Sequence, residues 1–203
     1  MSDIGHVFVV DDDAAVVDSL RMLLEAAGYA VATFYGAEDF LEICTPATQG
    51  CIILDVNMPD MDGPTLQAEL MRRGLILPII FLSGHGTIPL TVQAIKAGAI
   101  DFLTKPVQGS VLLARVKDAM AKNAIIQNQA KATQSISARM AMLTDRENEV
   151  LKLAVEGYTS KEIAQRLGIS FRTVEIHRAH VMQKTGASNM LELARITTNL
   201  TSQ

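Results

Sequence analysis

Four short apolar runs, Val7–Val10, Cys51–Leu54, Ile79–Leu82 and Asp101–Leu103, each lead into a chemically active residue: Asp11 with Asp12, Asp55, Ser83 and Lys105. Runs of this length, rich in β-branched and aromatic residues, suit strands covered on both faces. The stretches between them have helical spacing, and such strand–helix alternation folds as a parallel, doubly wound α/β sheet. The carboxyl ends of the strands then converge on a crevice where strand order reverses. Three carboxylates, a hydroxyl and an ammonium are therefore expected at one edge. A single Asp or Ser after a strand is ordinarily a turn residue; the four positions together, with Pro106 behind Lys105, point to a site.

The elements around the runs follow from spacing and stop signals. Val16, Val17, Leu20, Leu23 and Leu24 make a helix over about 15–27, stopped by Gly28. A second strand is expected over 30–34 and a helix over 37–44. Pro64 opens a third helix that ends near Gly74. A fourth covers about 88–97, after a Gly-rich segment from Ser83 to Thr87. A fifth begins near Val107 or Gln108 and meets no stop signal, so residues 122–142 read as a linker that is helical at least in part.

A chain of 203 residues accommodates one medium and one small domain. The expected boundaries are 1–121, 122–142 and 143–203. Charge divides at the same place: Met1–Met120 carries 7 Lys+Arg against 15 Asp+Glu, a net of −8, and Ala121–Gln203 carries 11 against 7, a net of +4. The acidic part suits a cation, the basic part a polyanion. Cys44 and Cys51 have no C-x-x-C spacing and read as reduced thiols. Met1–His6 carries no basic segment leading into an apolar core, and no apolar run approaches about 18 residues, so a soluble, cytoplasmic protein with no membrane partner is expected.

If the sheet forms, Asp55 can attack a phosphoryl group and hold it as an acyl phosphate. Asp11 and Asp12 beside it would repel both reactants, a conflict that a divalent cation resolves. Mg2+ prefers oxygen ligands and keeps waters. The expected ligands are Asp12 and Asp55 directly, Asp11 through water, and the backbone carbonyl of Asn57. Lys105 supplies a point charge for the phosphoryl oxygens.

The motifs V-V-D-D-D (Val9–Asp13), L-D-V-N-M-P (Leu54–Pro59), D-G-P (Asp62–Pro64), L-S-G-H-G (Leu82–Gly86) and D-F-L-T-K-P (Asp101–Pro106) resemble the receiver domain of two-component response regulators over about residues 4–122. The resemblance implies a flavodoxin-like, five-stranded sheet, a histidine kinase as phosphoryl donor, and Asp55 as acceptor. It implies that Ser83 is drawn to the phosphoryl oxygens and that Phe102 rotates inward behind it. A cis bond between Lys105 and Pro106 is implied as well. The face of the fourth helix, fifth strand and fifth helix would be remodelled.

In the basic part, Thr144-Asp145-Arg146-Glu147 is a capping box that opens a helix reaching about Glu156. Helices over 160–167 and 171–184 follow, joined by Gly168-Ile169-Ser170, the tight connection of a helix-turn-helix. A last helix is expected over about 190–200. Leu143–Ile196 resembles the C-terminal domain of NarL/FixJ (LuxR-type) regulators, through L-T-D-R-E-N-E-V-L, E-G-Y-T-S-K-E-I-A and L-G-I-S-F-R-T-V-E-I-H-R-A-H-V-M-Q-K-T-G. The whole chain stands nearest the FixJ branch.

With Val174 and Val181 turned to the core, Arg172, Thr173, Glu175, Ile176 and Ala179, flanked by Arg178, are left for the major groove. Lys161, Arg172, Thr173 and Lys184 are the expected phosphate contacts. His177 reads better as a half-buried, satisfied histidine than as a base reader. The resemblance makes Leu191, Leu193, Ala194 and Ile196 the dimer surface, and double-stranded operator DNA and RNA polymerase the partners. Ser188-Asn189-Met190 departs from the asparagine-arginine pair of many relatives. An aspartyl-phosphate phosphatase would also use Asp55 and Mg2+, but ordinarily with a second Asp where Asn57 stands; an adaptor that docks protein only is a further alternative.

Overall fold

The computed structural model describes residues 6–84, 87–189 and 192–194. The chain divides between Gln127 and Asn128 into two compact units.

The first unit holds β1 (His6–Val10), β2 (Ala30–Phe34), β3 (Cys51–Asp55), β4 (Ile79–Ser83) and β5 (Asp101–Thr104), all parallel, in the order β2-β1-β3-β4-β5. The connecting helices are α1 (Ala14–Ala26), α2 (Ala37–Ile43), α3 (Gly63–Arg72) and α4 (Ile88–Lys96), and α5 (Gly109–Met140) follows β5. The doubly wound sheet expected from the sequence is present. Caps set the helix starts: Asp13 accepts from the N–H groups of Ala15 and Val16, and Asp62 from that of Thr65, with Pro64 in the first turn.

Period-two alternation sends successive strand residues to opposite faces. Val7, Val9, Ile53, Ile80 and Leu82 pack with Val17, Leu20 and Leu24 of α1 and Leu112, Val116 and Ala119 of α5. Phe8, Val10, Ile52, Leu54 and Phe81 pack with Phe40, Leu66, Leu70 and Ala94 from the helices of the other face. Burying one such large side chain stabilises the fold by about 1.5–3 kcal/mol. Cys44 and Cys51 are both buried and free.

Register places the polar residues. Val10 pairs with Leu54, so Asp11 and Asp55 end neighbouring strands, and Asp55 itself pairs with Leu82. Ser83 pairs with Thr104, which brings Lys105 to the same edge. β1 has β2 on one side and β3 on the other. Strand order therefore reverses beside Asp11 and Asp55, at the crevice where such sheets bind ligands.

The second unit contains α6 (Asp145–Val155), α7 (Ser160–Leu167) and α8 (Phe171–Thr185). Thr144 with Glu147 and Thr159 with Glu162 form capping boxes, and Ser170 caps α8. Gly168 ends α7 at φ 65°, a left-handed conformation that favours glycine and lets the chain turn at once into α8. α8 feeds two small cores. Val174 packs with Val150, Ile163 and Ala164, and Val181 with Leu143, Leu151, Ala187 and Leu193. The segment read as a linker is the continuation of α5 as far as Met140. Of the expected last helix, residues 192–194 are helical; Met190, Leu191 and 195–200 lie outside the described residues, as do His85 and Gly86.

Candidate phosphorylation site and nucleic-acid interface

At the carboxyl edge of the sheet, the Lys105 ammonium donates to Asp11 Oδ2 and to Asp55 Oδ1, each at 2.6 Å. The other oxygens are also engaged. Asp11 Oδ1 accepts from the Asp13 N–H at 3.1 Å, and Asp55 Oδ2 from the Asn57 N–H at 2.7 Å. Both carboxylates are buried, Asp11 2% and Asp55 5% exposed, and Ser83 is fully buried beside them. The Lys105 N–H donates to the Ser83 carbonyl at 2.7 Å, and the Lys105–Pro106 bond is cis.

Burial pushes the Asp11 carboxyl above its usual range, and Lys105 and the Asp13 N–H only partly counter it. Burial also pulls the Lys105 ammonium down, but the two carboxylates together outweigh this and its pKa ends above the ordinary value. Two buried carboxylates that share one ammonium leave an uncompensated negative charge, which is costly away from water.

The three carboxylates are not brought equally close. Asp12 is exposed, and among the described residues no three acidic, His or Cys side chains gather tightly enough to hold a metal. Asp12 follows the buried Asp11 at a bend in the chain, just ahead of the Asp13 cap of α1. Two carboxylates meet at the edge, with Lys105 between them. The donors nonetheless fit a hard cation: oxygens only, from Asp11, Asp55, the neighbouring Asp12 and the Asn57 carbonyl, around a charge deficit.

The β3–α3 loop closes over Asp55. A Cβ at Gly63 would lie 2.3 Å from the Asp55 carbonyl oxygen and 2.9 Å from the Phe81 ring, so only glycine allows this approach. Phe102 is half-buried, its ring centre 6.0 Å from that of Phe81. A groove of about 710 Å³ beside Lys105 is walled by Val16, Leu20 and Leu23 of α1 and by Pro106 and Val107.

In the second unit, Lys161, Arg172, Glu175, Ile176 and Ala179 are exposed, and Thr173, His177 and Arg178 are half-buried. Thr173 Oγ1 lies 2.8 Å from Ser170 Oγ, and Arg178 Nη1 donates to Ser160 Oγ at 3.1 Å. Two expectations are corrected. Lys184 is not a free cation: its ammonium donates to Glu147 Oε2 at 2.7 Å and to the Met142 carbonyl at 3.3 Å. Leu193 is fully buried in this unit's own core, where it packs with Leu143, Leu151 and Val181, and so does not present a dimer surface. Leu191 and Ile196 lie outside the described residues, and Ala194 is half-buried.

Glu147, read from the sequence as part of the α6 cap, has a second role that the sequence reading missed. Its carboxylate completes the α6 cap, accepts from Lys184 and stands 3.6 Å from His180 Nδ1. Lys184 first, and then the Thr144 N–H, draw its pKa down to about 2. The local signal, T-x-x-E, announces the cap; the partners come from 33 and 37 residues along the chain, which no local pattern marks.

Comparison with known proteins agrees with both halves. The response regulator receiver domain family matches residues 7–117, and the bacterial regulatory proteins of the luxR family match residues 141–197. The chain is 39% identical over 196 residues to the transcriptional regulatory protein FixJ of Bradyrhizobium diazoefficiens, covering 97% of this chain and 96% of that one. It is 40% identical over 201 residues to the response regulator protein TodT of Pseudomonas putida, covering 98% and 88%. Among solved structures, the response regulator StyR superposes with a TM-score of 0.81 at 40% identity, over 96% of this chain and 98% of that one. Full-length FixJ from B. japonicum superposes with a TM-score of 0.59 at 38% identity, over 98% of each chain. No helix among the described residues is long and apolar enough to cross a membrane. The chain belongs to the response regulators in which a receiver domain is joined to a luxR-family DNA-binding domain, and is a transcriptional regulator of that kind rather than a classical enzyme.

Proposed function

We propose that Asp55 is the phosphoacceptor of a cytoplasmic two-component regulator whose phosphorylation controls operator binding, with domain limits at 1–121, 122–142 and 143–203. The observation that carries this reading is the Asp11–Lys105–Asp55 bridge at the sheet's switch point. An Asp55 oxygen attacks the phosphorus of a phosphohistidine on the kinase; a P–O bond forms, the P–N bond breaks, and the imidazole leaves with the electron pair. The kinase docks in the groove along α1, which opens next to Lys105. Asp12 and Asp55, the Asn57 carbonyl and, through water, Asp11 would hold Mg2+, which when bound supplies charge compensation for the phosphoryl oxygens. The chain's own catalysis is limited to its phosphorylation and dephosphorylation.

Lys105 then pairs with a phosphoryl oxygen instead of a carboxylate. The modification adds roughly −1.5 to −2 of charge and three acceptors. Ser83, at the same edge, turns to those acceptors, and Phe102, half in water, moves against Phe81. Packed interiors switch between discrete arrangements, and the change emerges on the face of α4, β5 and α5 as a homodimer contact. Leu191, Ala194 and Ile196 extend that dimer in the basic unit. Lys161, Arg172 and Thr173 contact phosphates, Glu175, Ile176, Arg178 and Ala179 face bases, and RNA polymerase is the downstream partner.

The test is operator binding by the full chain with acetyl phosphate and Mg2+. Wild type should tighten its binding on treatment and Asp55→Asn should not respond. An equal response in both proteins would overturn the assignment.

A further inference from the structure

Among the described residues of the second unit, three large apolar side chains are exposed: Met142, Phe171 (50%) and Ile176 (48%). Two of the three stand in the first six residues of α8. Single exposed apolar side chains are ordinary; two within the first two turns of the helix aimed at DNA are not. Phe171 is the first residue of α8, directly after the cap in which Ser170 Oγ accepts from the Thr173 N–H at 3.1 Å. The apolar clasp that often closes a helix start joins the residue before the cap to the fourth helical residue. Here Ile169 and Val174 make it within the core. The helix start is therefore complete without the Phe171 ring, which stands half in water next to the exposed Arg172.

The major groove offers such a ring one apolar target, the C5 methyl of thymine, and the first residues of a recognition helix are those that reach base edges. Resting on the DNA-binding reading above, we infer that Phe171 is a further specificity-determining residue, whose ring packs on a thymine methyl in each operator half-site. Five helical positions separate Phe171 from Ile176, a rotation of about 140°, so the two side chains meet different base steps. The half-site thus carries a thymine read by Phe171 that is distinct from any read by Ile176.

The experiment selects double-stranded DNA from a randomised pool with the full, acetyl-phosphate-treated chain, then replaces each thymine of the selected half-site by deoxyuridine, which removes only the methyl. For wild type, the methyl under Phe171 should be worth about three- to fivefold in affinity, the transfer of one methyl-sized group from water. Phe171→Ala should lose the thymine–deoxyuridine difference at that one position and keep it at the others, with an unchanged salt slope; Phe171→Leu should keep part of it. An unaltered deoxyuridine profile in Phe171→Ala, or an equal loss of affinity for every sequence, would overturn the inference while leaving DNA binding intact. Failure of wild type to select any sequence would instead remove the DNA-binding reading on which it rests.

Discussion

The two units carry their chemistry in opposite ways. In the first, residues separated by up to 94 positions are pressed together, buried and fully bonded, around a single ammonium. In the second, most of the residues facing outward from α8 stay in water, while the buried Glu147 carboxylate, bonded to Lys184, ties α8 to the start of α6. A reaction needs convergence and low dielectric; a reading surface needs a rigid back and a free front. Disturbance should therefore act through charge balance in the first unit and through scaffold or surface separately in the second.

The largest expected effect is at the bridge. Lys105→Ala leaves two buried carboxylates facing each other, and breaking a buried pair in this way costs about 3 kcal/mol or more. Hydrogen exchange at the β1 and β3 amides should report that loss, and added Mg2+ should restore part of it; unchanged protection would make the two regions alike. Next, Ile176→Arg should reduce the preference for the selected operator over random DNA by one to two orders of magnitude, the discrimination carried by one good base contact being about 1–3 kcal/mol. Competition binding at fixed salt measures it, and a retained preference would place the reading face elsewhere.

A smaller effect separates scaffold from surface. The Glu147 pKa is held at about 2, below its ordinary 4.5. Its contribution is therefore complete above pH 4.5 and fades as the pH falls from there toward 2. Glu147→Gln should lower the melting temperature of the basic unit by about 5 °C at neutral pH, with the gap to wild type closing below pH 4. Calorimetry across that range checks it, and a pH-independent gap would contradict it. The smallest effect is in salt dependence. Lys161→Ala should reduce the slope of log affinity against log salt by about one, whereas Lys184→Met should leave it unchanged because that ammonium is already paired with Glu147.

The sequence disclosed the first unit more fully than the second for a physical reason. Buried strands are contiguous apolar runs, and a parallel sheet delivers whatever follows them to one edge, so Asp11, Asp55, Ser83 and Lys105 could be placed together from spacing alone. What spacing could not say is that Lys105 bridges both buried carboxylates while Asp12 is left exposed beside them. Those outcomes depend on side-chain direction and competing charge. On α8, periodicity separated Val174 and Val181 from the outward residues. It could not reveal that Lys184 reaches back to α6, or that Leu193 fills the core, because both depend on contacts between helices distant in sequence.

The central claim, that of the two carboxylates bridged to Lys105 it is Asp55 that receives the phosphoryl group, can be read at the atom concerned. Borohydride reduces an acyl phosphate to an alcohol, so treated protein reacted with acetyl phosphate and Mg2+ should yield, on peptide mass mapping, homoserine at position 55 and nowhere else. Homoserine at position 11 or 12, with Asp55 intact, would contradict the account.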